Sequence, residues 1–279
     1  MFDQLALTLT DEDFYALSRL VHQKAGINLH EGKKELVRAR LAKRIREGGF
    51  GDFGRYYRYV VEDESGDELV HLLDAISTNL TSFFREPKHF AFMVEKFLPE
   101  LEKAKSPRND RRLRIWSAGC STGEEAYSIA MTVLDHSPYF NHGDFKVLGT
   151  DLSTRALARA LRGVYRFDRV KDIPPDLLRR HFQKGRGDWT GWYRVKPELG
   201  HACVFRHLNF VESFPFRRPF DLIFCRNVMI YFDKPTQHDL VRRLHQALAE
   251  GGYLFIGHSE SLTGPGNPFK YVQPTIYRK

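Results

Sequence analysis

Residues 115–125 read Ile115-Trp-Ser-Ala-Gly119-Cys-Ser-Thr-Gly123-Glu124-Glu125, and residues 221–232 read Asp221-Leu-Ile-Phe-Cys-Arg-Asn227-Val228-Met-Ile-Tyr231-Phe232. Each is an apolar run that closes on small or polar residues, the pattern of a buried parallel strand opening onto a ligand at its carboxyl end. One such strand is ordinary, but two of them with helical and strand patterns between describe a cofactor site.

Working outward, the pattern predicts strands at 113–118, 145–150, 220–225 and 253–257, alternating with helices at 123–136, 153–162 and 234–249. That alternation implies an α/β fold with a parallel sheet covered by helices on both faces. Phe269 to Arg278 alternates around Pro274 and predicts an antiparallel hairpin closing the sheet. Between 164 and 208 the rhythm breaks: Pro174-Pro175 opens a short helix, Gly185-Arg-Gly187 makes a turn, and Tyr193-Arg-Val195 and Cys203-Val-Phe205 read as short strands. An inserted β-subdomain is the expectation there.

Upstream nothing reads as a strand. Thr10 and Asp13 resemble a capping box ahead of Phe14, Leu17, Leu20 and Val21, which recur at helical spacing until Gly26. Further helices are expected from Lys33 to Glu47, around Tyr56, Tyr57 and Val60, and around Leu69, Leu72, Leu73 and Ile76. The expected organisation is an all-α domain over 1–85, a helix and linker over 86–112 opened by Pro87 with an exposed Lys103–Arg112 connection, and an α/β domain over 113–279.

The 279 residues suit two domains, and 42% hydrophobic with 28% charged content is that of a soluble globular protein. No run approaches the roughly 18 apolar residues of a membrane span, and Asp3 and Thr8 to Asp13 do not fit a signal peptide, so the expected compartment is the cytoplasm. Cys120, Cys203 and Cys225 form no C-x-x-C pair and the twelve histidines no H-E-x-x-H, so no metal is expected. A net charge of +8 favours an acidic partner.

Gly119 and Gly123 stand between strand and helix, where the backbone turns sharply and a ligand approaches closely. Their spacing fits neither G-x-G-x-x-G nor a P-loop, which counts against a nicotinamide dehydrogenase. Glu124 and Glu125 follow, at a helix N-terminus where pyrophosphate would otherwise bind, and suit a cationic ligand. The next strand ends at Asp151, an acid placed to accept from ribose hydroxyls. A sulfonium, an amino group and a ribose without phosphate match this set, and S-adenosylmethionine is such a molecule.

At these residues the chain resembles the CheR family of chemotaxis receptor glutamate methyltransferases. The resemblance is carried by Thr78-Asn-Leu-Thr-Ser-Phe-Phe-Arg85-Glu, Trp116 through Ser128, Gly149-Thr-Asp151, Phe224 through Asp233 and Gly257-His-Ser-Glu260. It implies an all-α N-terminal domain joined to a Rossmann-like S-adenosylmethionine-dependent methyltransferase domain with an inserted β-subdomain. By motif position Asn79, Thr81, Arg85, Glu125, Asp151, Asn209 and Asn227 would bind the cofactor, with Phe210 and Val228 beside two of them. The acceptors would be glutamates on the cytoplasmic helical region of chemoreceptors, giving methyl esters and S-adenosylhomocysteine.

A glutamate with an intrinsic pKa of about 4.3 is already ionised at neutral pH, so no general base is required. Catalysis then rests on alignment and desolvation. Arg85 is expected to hold either the acceptor carboxylate or that of the cofactor, and Tyr231 to donate near the reacting oxygen. In the second helix Lys33, Arg40 and Arg44 share a stripe, and Arg40 and Arg46 fall where the family places receptor-contacting arginines. In some members the inserted subdomain docks a receptor C-terminal peptide by strand addition, and Gly185-Arg-Gly-Asp-Trp-Thr-Gly191 suits such tethering. A nucleic-acid methyltransferase is disfavoured because Asn227-Val-Met-Ile-Tyr231 lacks the paired prolines typical of amine-methylating enzymes, so no nucleic-acid partner is expected, and a monomer suffices.

Overall fold

The computed structural model describes residues 7–262 and 266–279. The chain starts with four helices: α1 Asp11–Ala25, α2 Lys34–Glu47, α3 Phe53–Glu62 and α4 Asp67–Ile76. Thr10 caps α1 by accepting from the Asp13 backbone N–H, while its hydroxyl donates to the Asp13 carboxylate at 2.7 Å. The apolar faces close on one core that includes Phe14, Val21, Val37, Leu41, Phe53, Tyr56 and Leu72. α1 stops at Gly26, whose φ of +71° is left-handed. A Cβ there would stand 2.7 Å from Val211, so glycine lets this domain press against the next one.

α5 (Pro87–Phe92) continues through a π turn at Met93–Phe97 into α6 (Leu98–Lys105). Phe90, Met93, Phe97 and Leu98 share a core with Leu113, Ile115 and Ile129, so this segment is a wall of the α/β domain. The expected exposed connection is corrected at Lys105, which is buried and paired with Asp221 at 2.8 Å.

The α/β domain then runs β1 Arg112–Ala118, α7 Glu124–His136, α8 Pro138–Asn141, β2 Asp144–Asp151 and α9 Thr154–Arg162. β3 Val164–Arg166, α10 Phe167–Val170, α11 Pro175–His181, β4 Phe182–Lys184 and β5 Trp192–Val195 follow. After α12 Pro197–Ala202 come β6 Cys203–His207, β7 Phe220–Cys225, α13 Lys234–Ala247, β8 Leu248–Ile256, β9 Lys270–Gln273 and β10 Ile276–Arg278.

The large sheet has seven strands in the order β6-β2-β1-β7-β8-β10-β9. The first five are parallel, and β10 and β9 close the edge as an antiparallel hairpin, as the alternation around Pro274 predicts. β1 lies between β2 and β7, so the strand order reverses there and leaves a crevice at the carboxyl ends of both quoted strands.

A separate three-stranded antiparallel sheet, β3-β5-β4, forms the inserted lobe. One strand expected in that lobe belongs elsewhere: Cys203–His207 pairs in parallel with β2 as the edge of the large sheet. A short strand pattern does not say which sheet it joins, and burial of Cys203 and Phe205 in the core with Tyr127 decides it. Among the described residues no helix is long and apolar enough to cross a membrane.

Candidate active site

A cleft of about 300 Å³ opens at the carboxyl ends of β1, β2 and β7, roofed by Ala25, Ile27 and the Ile76–Thr78 segment of the all-α domain. At its floor Gly119 adopts φ +83°, and a Cβ there would stand 2.4 Å from the Val228 side chain, leaving room for a ligand only if the residue is glycine. The N–H groups of Gly119 and Cys120 both donate to the Thr150 carbonyl, tying β1's exit to β2's. Asp151 then accepts from the backbone N–H of Ser121 and of Ser153, each at 2.8 Å. Burial pushes its pKa up while these two donors oppose the rise.

Asn79, Thr81, Arg85, Gly119, Glu125, Asp151, Asn209, Phe210, Asn227, Val228 and Tyr231 all line this cleft. Their placements differ in kind. The Arg85 guanidinium bonds the Leu80 carbonyl at 3.1 Å and has no carboxylate partner among the described residues. Phe84 and Glu86 on either side are left-handed at φ +51° and +59°, a strained turn that presents Arg85 to the cleft. Asn209 instead spends its amide nitrogen on the Lys24 carbonyl at 2.6 Å, joining the two domains. Asn227 is left-handed at φ +59°, and its turn is clamped by Glu260, which accepts from the N–H groups of Asn227, Val228, Met229 and Gly257.

Of the two acids after Gly123, only Glu125 faces the ligand space. It accepts from Ser117 Oγ at 2.6 Å and from Arg226 Nε at 2.7 Å. Glu124 is turned the other way and fully buried, held by Thr122 and by Arg169 of the lobe.

Arg226 is the functional residue that the sequence reading missed. Its buried guanidinium bonds Glu125, the Arg85 carbonyl at 2.6 Å, Glu86 and His89, and lies over the rings of Phe90 and Phe224. The signal was available: a cation directly after a six-residue strand that is buried throughout needs buried acids of its own. Arginine can only donate, so His89 Nδ1 accepts and Nε2–H donates to Thr275 Oγ1 at 2.7 Å. Glu86, His89 and His258 bring ligand-type atoms together, and the Arg226 cation already stands among them.

The α2 arginines are partly corrected. Arg44 forms a forked pair with the buried Glu68 inside the all-α domain, so it is not free to meet a partner. Arg40 bonds the Ile76 carbonyl and Thr78 Oγ1, bracing the cleft roof, and burial lowers its pKa. Arg46 is exposed and bonds the Ala42 carbonyl within its own helix. Helical spacing put Arg40 and Arg44 on one stripe, and packing against α4 claims both of them.

The free positive charge lies elsewhere. Residues 155–196 hold twelve Lys and Arg against four Asp and Glu, a net +8 equal to that of the whole chain. On the lobe, Arg162, Lys184, Arg186 and Arg194 line an open groove of about 1120 Å³ with the half-buried Trp192 and the exposed Trp189. No acidic residue lines it.

The residues of the cleft fit S-adenosylmethionine. Arg85 supplies an uncommitted cation for a ligand carboxylate, Glu125 and Asp151 supply acceptors for an amino group and ribose hydroxyls, and the apolar Val228 and Phe210 supply surface for a purine. All-buried acids at the floor disfavour a phosphate there.

Comparison with known proteins agrees with this fit. Residues 12–77 match the model of the CheR methyltransferase all-alpha domain, and residues 79–278 that of the CheR methyltransferase SAM-binding domain. The chain is 40% identical over 278 residues to a chemotaxis protein methyltransferase of Borreliella burgdorferi, covering 99% of this chain and 96% of that one. It is 39% identical over 272 residues to one of Salmonella typhimurium (97% and 91% covered) and 38% identical over 275 residues to one of Escherichia coli (97% and 92% covered). The chain belongs to the CheR family of chemotaxis methyltransferases, with an all-α domain joined to a domain that binds S-adenosylmethionine.

Proposed function

We propose that this methyltransferase esterifies glutamate side chains on the cytoplasmic helical region of chemoreceptors, releasing S-adenosylhomocysteine. The observation that carries the reading is the Arg85 guanidinium, presented into the cleft by a strained turn and lacking any acid partner among the described residues. The chemistry supplied by S-adenosylmethionine is a single methyl donation: an acceptor oxygen forms the new bond to carbon as the carbon–sulfur bond breaks, consuming one negative and one positive charge. An ionised carboxylate needs no base for this, in keeping with a cleft whose buried acids are bonded to backbone N–H groups and to Arg226. The work left to the protein is to orient and to exclude water. Arg85 forks to a carboxylate, either the acceptor's or the cofactor's, and Tyr231, at the rim beside Arg40, donates toward the reacting oxygen.

The lobe groove supports docking of an acidic receptor tail peptide along the edge of the β3-β5-β4 sheet, with four cations that have no acid partner among the described residues as its charge complement. Such an enzyme works in the cytoplasm as a monomer. The test is incubation with labelled S-adenosylmethionine and cytoplasmic receptor fragments, expecting base-labile methyl ester on glutamate. Base-stable label would overturn the reading. Arg85→Ala should lower the single-turnover rate about 100-fold while the fold is retained, and an unchanged rate would remove Arg85 from the mechanism.

A further inference from the structure

The turn that carries Asn79, Thr81 and Arg85 is seated on the inserted lobe. Phe83, at its centre, is buried with its ring edge-on to Tyr165 of β3 at 5.1 Å and to Phe182 of β4 at 5.6 Å. Arg169 of α10 donates to the Thr81 carbonyl at 2.8 Å. The same guanidinium bonds the fully buried Glu124 through Nε at 3.1 Å and through Nη2. Glu124 begins α7 directly before the cleft residue Glu125, and its other oxygen is held by Thr122 Oγ1 at 2.6 Å. Tyr165 adds a hydrogen bond to the Thr122 carbonyl at 2.7 Å. The lobe therefore touches two of the chain segments that wall the cleft.

We propose that Arg169 is a positioning residue for S-adenosylmethionine, so that the lobe is part of the cofactor site as well as a docking surface. Glu124 is 1% exposed at its side chain, and Arg169 is its ion-pair partner among the described residues. A guanidinium can serve a carboxylate and a carbonyl at once because its donors form a fixed planar fork. Arg169 thus ties the Thr81 end of the turn to the start of α7, while Ser128 Oγ holds the Phe84 N–H and Arg226 holds the Arg85 carbonyl further along. Its removal loosens the Thr81 end of the turn while leaving every cleft-lining side chain unsubstituted.

The inference rests on the cleft holding S-adenosylmethionine, not on the identity of the acceptor, so its test needs no receptor. S-adenosylhomocysteine binding by calorimetry and stability by urea unfolding are measured for Arg169→Met, for Glu124→Gln and for the two combined, with Asp151→Ala as the reference for the cleft. Arg169→Met strands the Glu124 carboxylate and is expected to lower stability and to weaken binding about tenfold. In the double variant the stranded charge is gone, so stability should return while binding stays about tenfold weak. Return of both would show that Arg169 only balances charge and would overturn the proposal, as would wild-type affinity in folded Arg169→Met. Undiminished affinity in Asp151→Ala would remove the cleft assignment, and the positioning role with it.

Discussion

The cofactor cleft and the lobe groove both depend on charged residues, but the charges are held in opposite ways. In the cleft Arg226 is committed to Glu125, Glu86 and His89, and Asp151 to two backbone N–H groups, all of them largely out of water. On the lobe Arg162, Lys184, Arg186 and Arg194 are exposed and have no carboxylate partner among the described residues. A buried charge must be matched at every turn, since an unmatched one costs several kcal/mol, whereas an exposed one is screened by water and salt. The first arrangement fixes geometry, and the second offers attraction without fixing it.

This contrast makes the effects of substitution predictable in size. The largest should follow Arg226→Met, which strands Glu125 and Glu86 together and frees the Arg85 carbonyl. A loss of about 3–5 kcal/mol in urea unfolding is expected, with S-adenosylhomocysteine binding lost in parallel. Stability within about 1 kcal/mol of the parent would show that water reaches this network and that its charges are not committed after all.

A smaller effect should appear with pH, because His89 is held neutral. Burial first, and then the Arg226 and His258 charges, lower its pKa to about 3. The unfolded chain takes up a proton below about pH 6.5 where the folded one does not, so this contribution is complete above about pH 6.5 and fades as pH falls toward 3. At pH 5 the loss is about 2 kcal/mol, and His89→Gln should flatten that part of the stability curve. An unchanged slope in the variant would place the acid sensitivity elsewhere.

The smallest effect belongs to the groove. Replacing Arg162, Lys184, Arg186 and Arg194 by Gln should shift stability by no more than about 0.5 kcal/mol for each site. The kcat/KM for receptor should fall several-fold at low ionic strength and converge with the parent near 0.5 M salt, where the Debye length is only a few ångströms. No difference at low salt would sink the docking role of the groove and leave the lobe with bracing alone.

Most of the fold was legible because the α/β alternation is local. The strand ends at Ala118, Asp151 and Cys225 and the Thr10 cap all lie where the periodicity puts them. Every residue that the family motifs assign to the cofactor lines one cleft, although Glu124 turns away from it, since Gly119, Glu125, Asp151 and Asn227 sit at strand exits that a parallel sheet necessarily gathers at one edge. What was not legible concerns pairing between distant residues. Arg44 and Arg46 differ by two positions on one helix, yet Glu68 of α4 claims the first and not the second. Glu124 and Glu125 are neighbours, yet a helix turns adjacent side chains about 100° apart, one toward Arg169 and one toward Arg226.

The sequence by itself determined the order of elements, the strand exits that receive the ligand, the chain's family resemblance and the concentration of its net charge within residues 155–196. Tertiary structure alone decided that Cys203–His207 completes the large sheet, that Arg226 and Glu260 fix the cleft, and that the lobe braces it through Arg169. The reason is the range of the interactions. Periodicity and capping act between residues a few positions apart and are written in the chain, whereas a buried charge finds its partner only once packing has brought distant segments within about 3 Å.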